Sequence, residues 1–87
     1  MKDKAPDASA IQSFCLNYVS KIVDLPVDRI DPAVDVDRLG MDSATAVALI
    51  MSLEEWLGIE LQPEILFEHP TIAGLSKHLA ARSQGSA

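Results

Sequence analysis

The chain is short of cysteine, of basic residues and of long apolar stretches, and each shortage excludes a class of protein. One cysteine among 87 residues excludes an internal disulfide framework and a cysteine-based zinc site. Seven basic residues against thirteen acidic ones, a formal charge of −6, leave no basic face for nucleic acid. No apolar run approaches the roughly 18 residues of a membrane span, and the polar start is not a signal peptide. We therefore expect a protein of the reducing cytoplasm, with no nucleic acid partner and no membrane span.

The length and the apolar content are those of one small folded domain. At 87 residues and 48% hydrophobic content the chain is too short for two domains and too apolar to be disordered by composition. Residues 1–8 are polar and predict a flexible N-terminal tail, and residues 83–87 predict a flexible C-terminal tail. The domain is expected to span residues 9–82.

Helical periodicity dominates that domain. A first helix is predicted from about Ser9, its N-cap, to Val23. A second follows from Ser43 to Leu57 with Gly58 as its stop, and a short third from Pro63 to Phe67. A fourth begins after Thr71 as its cap, with a core face of Ile72, Leu75 and Leu79, joined at its edge by Ala80. The pattern predicts an all-α bundle of three main helices and one short helix.

A long loop is predicted between the first two helices, over residues 24–42. Pro26 and Pro32 exclude a long helix there. Loops of this length are uncommon in compact domains and are usually functional. The apolar residues that recur in it are expected to anchor it to the core: Leu25, Ile30, Val36 and Leu39.

The second helix is apolar on two sides. No charged side chain occurs from Ser43 to Leu53. On a helical wheel, one arc forms the core face: Ala46, Leu49, Ile50, Leu53 and Leu57. The opposite arc is an apolar strip that a small bundle cannot easily bury: Ala44, Val47, Ala48 and Met51. An exposed apolar strip marks a partner site, unless the bundle wraps more of this helix than expected.

Ser43 is the one serine in a distinctive setting, at a helix start after a glycine-containing turn. The free N–H groups and the helix dipole there favour a negatively charged group, and a phosphate ester on Ser43 would be stabilised. A plain N-cap serine is the alternative interpretation.

Other chemistry-bearing residues match their motifs poorly. The sequence around Ser43 lacks the two glycines of a hydrolase nucleophile elbow. Residues 35–46 begin like a calcium-binding loop but have Leu39 at the fifth position and Ala46 at the twelfth, so no metal site is predicted. Cys15 is expected to be a buried packing residue, and the Trp56 ring is expected to cover the core edge.

Two motifs at the right separation resemble those of acyl carrier proteins. Leu39-Gly40-Met41-Asp42-Ser43 is similar to the family's L-G-x-D-S attachment motif. Leu66 to Ile72, with the letters LFEHPTI, resembles the F-x-x-P-T segment of polyketide-synthase and peptide-synthetase carriers. The resemblance extends from about Ile11 to Leu79, nearly the whole predicted domain.

The resemblance implies a four-helix, non-catalytic carrier. Ser43 would bear a 4′-phosphopantetheine arm, next to the motif residue Asp42, and the arm would hold acyl groups as thioesters. A phosphopantetheinyl transferase would install the arm from coenzyme A. The implied partners are an acyl-loading enzyme (an acyltransferase or an acyl-AMP ligase) and a ketosynthase or other polyketide-pathway enzyme. We expect a discrete, monomeric protein.

The letters around the site favour an acyl load. Peptidyl carriers usually read G-G-x-S where this chain has Gly40-Met41-Asp42-Ser43. Bacterial fatty-acid carriers usually lack the F-x-x-P-T segment, so the chain resembles a polyketide-type carrier. The alternatives are a peptidyl or aryl carrier of a peptide synthetase, and a small helical adaptor that carries no arm and binds partners through its apolar strip.

The chain departs from the family at Ala48, where the second helix often has an acid. Docking is therefore expected to depend on apolar contact through the strip Ala44, Val47, Ala48 and Met51. Nearby residues predicted to contact partners, mainly through charge, are Glu55, Glu64, Ile65 and Glu68.

Overall fold

The computed structural model describes residues 6–84, with side chains to residue 82. It contains four helices: α1 (Ala8–Val23), α2 (Ser43–Leu57), α3 (Ile65–Glu68) and α4 (Ile72–Gln84). No strand occurs in that range, apart from an isolated bridge between Asp35 and Thr71. The predicted all-α bundle of three main helices and one short helix is confirmed. The predicted tails lie largely in residues 1–5 and 85–87, outside the described residues, and α4 continues to Gln84.

Helix α1 packs mainly against α4. The buried apolar residues of the two helices recur at helical spacing: Ile11, Cys15 and Val19 on α1, and Ile72, Leu75 and Leu79 on α4. The prediction of Ser9 as the N-cap is wrong, because the Asp7 carboxylate accepts the Ala10 N–H at 2.9 Å. Ser9 lies inside the first turn, since the helix begins at Ala8.

The long loop is present and contains two short 3₁₀ turns, Val27–Arg29 and Val36–Leu39. Ile30 and Val36 are buried, and Leu39 packs partly against the core, as predicted. The prediction for Leu25 is wrong, because its side chain is 46% exposed. Asp24 adopts a left-handed conformation that turns the chain at the end of α1, and Leu25 follows outside the core.

Helix α2 has the predicted bounds. Its core face is buried at Leu49, Ile50 and Leu53. Gly58 ends the helix with a φ of +70°, a left-handed conformation that glycine adopts without strain, and its N–H donates to the Glu54 carbonyl.

Helix α3 begins later than predicted, because Pro63 and Glu64 form a turn before it. The predicted cap of α4 is confirmed, since the Thr71 hydroxyl oxygen accepts the Gly74 N–H at 3.0 Å. The long loop is tied to this region by the Val36 N–H, which donates to the Pro70 carbonyl at 2.9 Å. This bond holds the end of the loop, and the residues that lead into α2, beside α3.

None of the helices among residues 6–84 has both the length and the apolar character needed to cross a membrane.

Candidate functional site at the start of helix α2

Ser43 is the first residue of α2, and its side chain is exposed. No hydrogen bond to another described residue engages its hydroxyl. Gly40, before it, has a φ of +95°, which a residue with a side chain rarely adopts. Met41 is buried next to this turn. The turn and the Met41 anchor therefore hold the segment against the core and leave Ser43 in solvent.

The helix cap is Asp42, so the alternative interpretation of Ser43 as the N-cap is wrong. The Asp42 carboxylate accepts the Thr45 N–H at 2.9 Å. The Thr45 hydroxyl also lies 2.9 Å from the same carboxylate oxygen and 3.0 Å from the Asp42 carbonyl. The Thr45 N–H, followed by the Thr45 hydroxyl, lowers the pKa of the Asp42 carboxyl below its ordinary value. Asp42 takes the capping bonds, which leaves the Ser43 hydroxyl unengaged.

A cavity of about 670 Å³ opens beside Ser43, between the start of α2 and α3. Its wall is largely apolar and includes Val36, Met41, Ala46, Val47, Leu66 and Phe67. Asp37, Asp42 and Glu64 also line it. A group esterified to Ser43 would therefore have an apolar surface within reach, and its phosphate would lie at the positive end of the α2 dipole. The exposed hydroxyl, the helix start and the cavity all fit a phosphopantetheine arm.

The apolar strip of α2 faces solvent. Met51 is 61% exposed, Ala44 and Val47 are exposed, and Ala48 is half-buried. Most of the strip is therefore available to a partner.

The acidic residues near the strip differ in their availability. Glu55, Glu64 and Glu68 are exposed. The carboxylate of the neighbouring Glu54 accepts the Leu61 N–H at 3.0 Å, and this bond fixes the segment after α2. Glu54 is thus held by the fold, whereas Glu55 projects outward.

Helix α3 presents a different residue from the one predicted. Ile65 is only 7% exposed and packs into the core, so it is removed from the set of partner contacts. Phe67 is 85% exposed and also lines the cavity beside Ser43. The sequence contained Phe67 in a recognisable motif, but a helix of four residues has too few positions to define a face by periodicity.

The cavity beside Ser43 is not lined by the other chemistry-bearing residues, Cys15, His69 and His78. Burial raises the pKa of the Cys15 thiol to about 12, only partly offset by a hydrogen bond with Ser76, so the thiol is protonated and unreactive at neutral pH. His69 and His78 stack on each other, with ring centroids 4.2 Å apart. Within residues 6–84 no group of three or more potential metal ligands converges.

Comparison with known proteins gives the family. Residues 16–79 match the family described as phosphopantetheine attachment site. The chain belongs to this family of carrier domains, whose cofactor is covalently attached 4′-phosphopantetheine. The predicted carrier class and cofactor are thereby confirmed.

Relatives and solved structures agree with this assignment. The chain is similar to the spectinabilin polyketide synthase system protein NorC of Streptomyces orinoci, with 43% identity over 54 residues. The match takes in 62% of this chain but 2% of that protein's length.

Two carrier structures resemble the fold closely. The first is an acyl carrier protein from Anabaena sp. PCC 7120 with a variant phosphopantetheinylation-site sequence, with 36% identity, coverage of 92% of both chains and a TM-score of 0.81. The second is a free-standing peptidyl carrier protein from Acinetobacter baumannii, with 28% identity, coverage of 90% of this chain and 98% of that one, and a TM-score of 0.83.

Proposed function

We propose that Ser43 carries the 4′-phosphopantetheine arm and that this chain presents acyl intermediates of polyketide assembly to partner enzymes. The observation that carries the proposal is the exposed, unengaged Ser43 hydroxyl at the start of α2, above an apolar cavity. When bound, the arm supplies a thiol that holds acyl groups as thioesters, which are activated toward acyl transfer.

The chain's own residues position and stabilise the attachment point. The Ser43 oxygen is the anchor, and the N–H groups and dipole at the start of α2 favour the negative charge of the phosphate. Asp42 and Thr45 hold the first turn of the helix together. The chain supplies no catalytic group, and the chemistry belongs to its partners.

The partners follow from that role. A phosphopantetheinyl transferase would break the pyrophosphate bond of coenzyme A, join the phosphopantetheine phosphate to the Ser43 oxygen as a phosphodiester, and release adenosine 3′,5′-bisphosphate. A loading enzyme, either an acyltransferase or an acyl-AMP ligase, charges the arm, and a ketosynthase or another pathway enzyme receives the acyl group. These enzymes contact the exposed strip of α2 together with Phe67, and they act on a monomeric carrier.

A peptidyl carrier is the second candidate function, favoured by the similarity to a peptidyl carrier structure at a TM-score of 0.83. The attachment segment distinguishes the two classes, because Gly40-Met41-Asp42-Ser43 departs from the G-G-x-S pattern of peptidyl carriers. Incubation of the arm-bearing chain with acyl-activating and with aminoacyl-activating enzymes decides between them. Acyl loading without aminoacyl loading supports the polyketide role.

Intact mass spectrometry after coexpression with a broad-specificity transferase tests the site. The wild-type chain is expected to gain one phosphopantetheine, and Ser43→Ala none. Ser13→Ala, at an exposed serine of α1, is the matched control and is expected to gain the arm as wild type does. Arm uptake by Ser43→Ala would place the attachment elsewhere, and no uptake by wild type would contradict the proposal.

A further inference from the structure

The two histidines of the chain meet in one contact that joins α3 to α4. His69 follows α3 directly, and His78 lies in the middle of α4. Their rings stack with centroids 4.2 Å apart and an angle of 20° between the planes, and both are half-buried. We propose that this ring pair is a proton-sensitive contact that sets the position of α3, and with it one wall of the cavity beside Ser43.

Charges around the pair make a second proton unfavourable. Arg82 of α4 adds a positive charge near His78, and Glu68 of α3 adds a negative one. Glu60 and Glu64 line a surface depression together with His78, Glu68 and Arg82. Within the described residues, no ion pair joins a carboxylate to either histidine ring. One protonated ring is therefore tolerated. Two protonated rings at this separation repel each other, with Arg82 adding to the positive charge.

The lowered pKa of His78 agrees with this arrangement. Burial lowers the pKa of His78 below its ordinary value, and His69 and Arg82 lower it further, against an opposing effect of Glu68. Protonation of His78 therefore requires a lower pH than that of an ordinary histidine.

Helix α3 is the element that is expected to move when the rings separate. The Pro70 carbonyl is held by the Val36 N–H at 2.9 Å, which fixes the chain just beyond His69. Helix α3 itself has only four residues: Ile65 anchors it in the core, Leu66 packs partly against the core, and Phe67 is largely in solvent, so a shift of α3 pivots about Ile65. Leu66 and Phe67 line the cavity beside Ser43. Separation of the rings therefore moves the cavity wall while the loop contact remains in place.

Nuclear magnetic resonance of the full chain tests the contact directly, because each of the two histidine rings gives its own signal. In wild type we expect two separate midpoints, the lower of which belongs to the second protonation of the pair. The backbone amides of Leu66 and Phe67 are expected to shift together with the lower midpoint. In His78→Phe, which keeps a flat ring without a proton, the remaining histidine is expected to titrate once and these amides to stay still over that range.

Lys77→Gln is the matched control, since it removes an exposed positive charge of α4 next to His78 in sequence. It is expected to titrate as wild type does. Independent titration of the two histidines in wild type, or equal movement of the α3 amides in His78→Phe, would overturn the proposal. If His78→Phe does not fold, His69→Gln and His78→Gln provide the same comparison.

Arm attachment links the contact to function, and this step depends on the proposed role of Ser43. The attachment rate of wild type relative to His78→Phe is expected to fall between neutral pH and a pH below the lower midpoint of the amide titration, because the lowered pKa of His78 places the second protonation below the ordinary histidine value of about 6.5. The ratio cancels the transferase's own pH dependence. A constant ratio contradicts a link to the cavity. No arm uptake by either protein contradicts the role of Ser43, while the amide titration still decides the proposed contact.

Discussion

Trp56 stacks flat on Phe14, with ring centroids 4.5 Å apart and 6° between the ring planes. The pair joins the end of α2 to the first half of α1, whereas the main packing of α1 is against α4. Trp56 remains 42% exposed, so its ring covers the edge of the core, as predicted from its place at the flank of the helix. The contact ties α2, which carries Ser43 at its other end, to α1.

A double-mutant cycle measures this stack. Trp56→Leu and Phe14→Leu are each expected to destabilise the fold, and the pair to show a coupling energy of about 0.5–1.5 kcal/mol. Chemical denaturation followed by circular dichroism gives the free energies of unfolding without depending on tryptophan fluorescence. Trp56→Leu combined with Leu25→Ala, at an exposed residue, should be additive. Additivity of the Trp56 and Phe14 changes would show that the stack contributes only buried area.

The two faces of α2 are distinguished by matched alanine substitutions. Leu53→Ala, and likewise Leu49→Ala, is expected to lower the free energy of unfolding by about 2–5 kcal/mol, because each side chain is fully buried. Met51→Ala, on the exposed strip, is expected to lower the free energy of unfolding by less than about 0.5 kcal/mol. Thermal or urea unfolding gives the comparison, and similar costs on the two faces would contradict the assignment of the strip to the surface.

The Asp42 cap is expected to make the free energy of unfolding depend on pH in the acid range. Because the folded-state pKa of Asp42 is lowered, its stabilising contribution is complete above the unfolded-state value of about 3.9 and is lost as pH falls through the folded-state value. Asp42→Asn keeps an oxygen that can cap the helix but does not titrate. The stability difference between wild type and Asp42→Asn should therefore shrink in acid. A difference that stays constant from neutral pH to below the folded-state pKa would show that Asp42 does not titrate as a cap.

Partner docking is expected to depend more on the apolar strip than on charge. Met51→Glu or Val47→Asp should reduce acyl transfer from the loading enzyme more than Glu55→Ala does, because burying Met51 fully contributes about 1.5–3 kcal/mol. Transfer to arm-bearing variants, followed at low and high salt, measures the effect. Exposed charge pairs weaken when the Debye length falls to about 3 Å at 1 M salt, whereas apolar burial does not.

Folding and arm uptake of each variant serve as the controls for that comparison. Loss of most transfer on salt addition or in Glu55→Ala, with Met51→Glu tolerated, would reverse the conclusion. Charge would then dominate recognition, and Ala48 would be a neutral departure from the family's pattern.

Features that depend on neighbouring residues in the chain could be predicted from the sequence. The bounds of α2, its buried face, the glycine stop and the Thr71 cap all follow from helical periodicity and local capping chemistry. Ser43 was found through its motif and its place after a glycine turn. These signals are local, because helix hydrogen bonds and caps join residues only three or four positions apart.

Choices between neighbouring candidates required the tertiary structure. Whether Asp42 or Ser43 caps α2 depends on where the loop enters the helix, which the Met41 anchor and the contact between Val36 and Pro70 decide. Helix α3 is too short for periodicity to show that Ile65 faces inward and Phe67 outward.

The aromatic and histidine contacts were likewise decided by tertiary structure. The stacking of Phe14 on Trp56 and of His69 on His78 joins separate elements. The sequence determined that four helices form and that a serine stands at the start of the second. Only packing decided which side chains meet across the bundle. Such contacts depend on the relative placement of whole helices and produce no periodic pattern in the sequence.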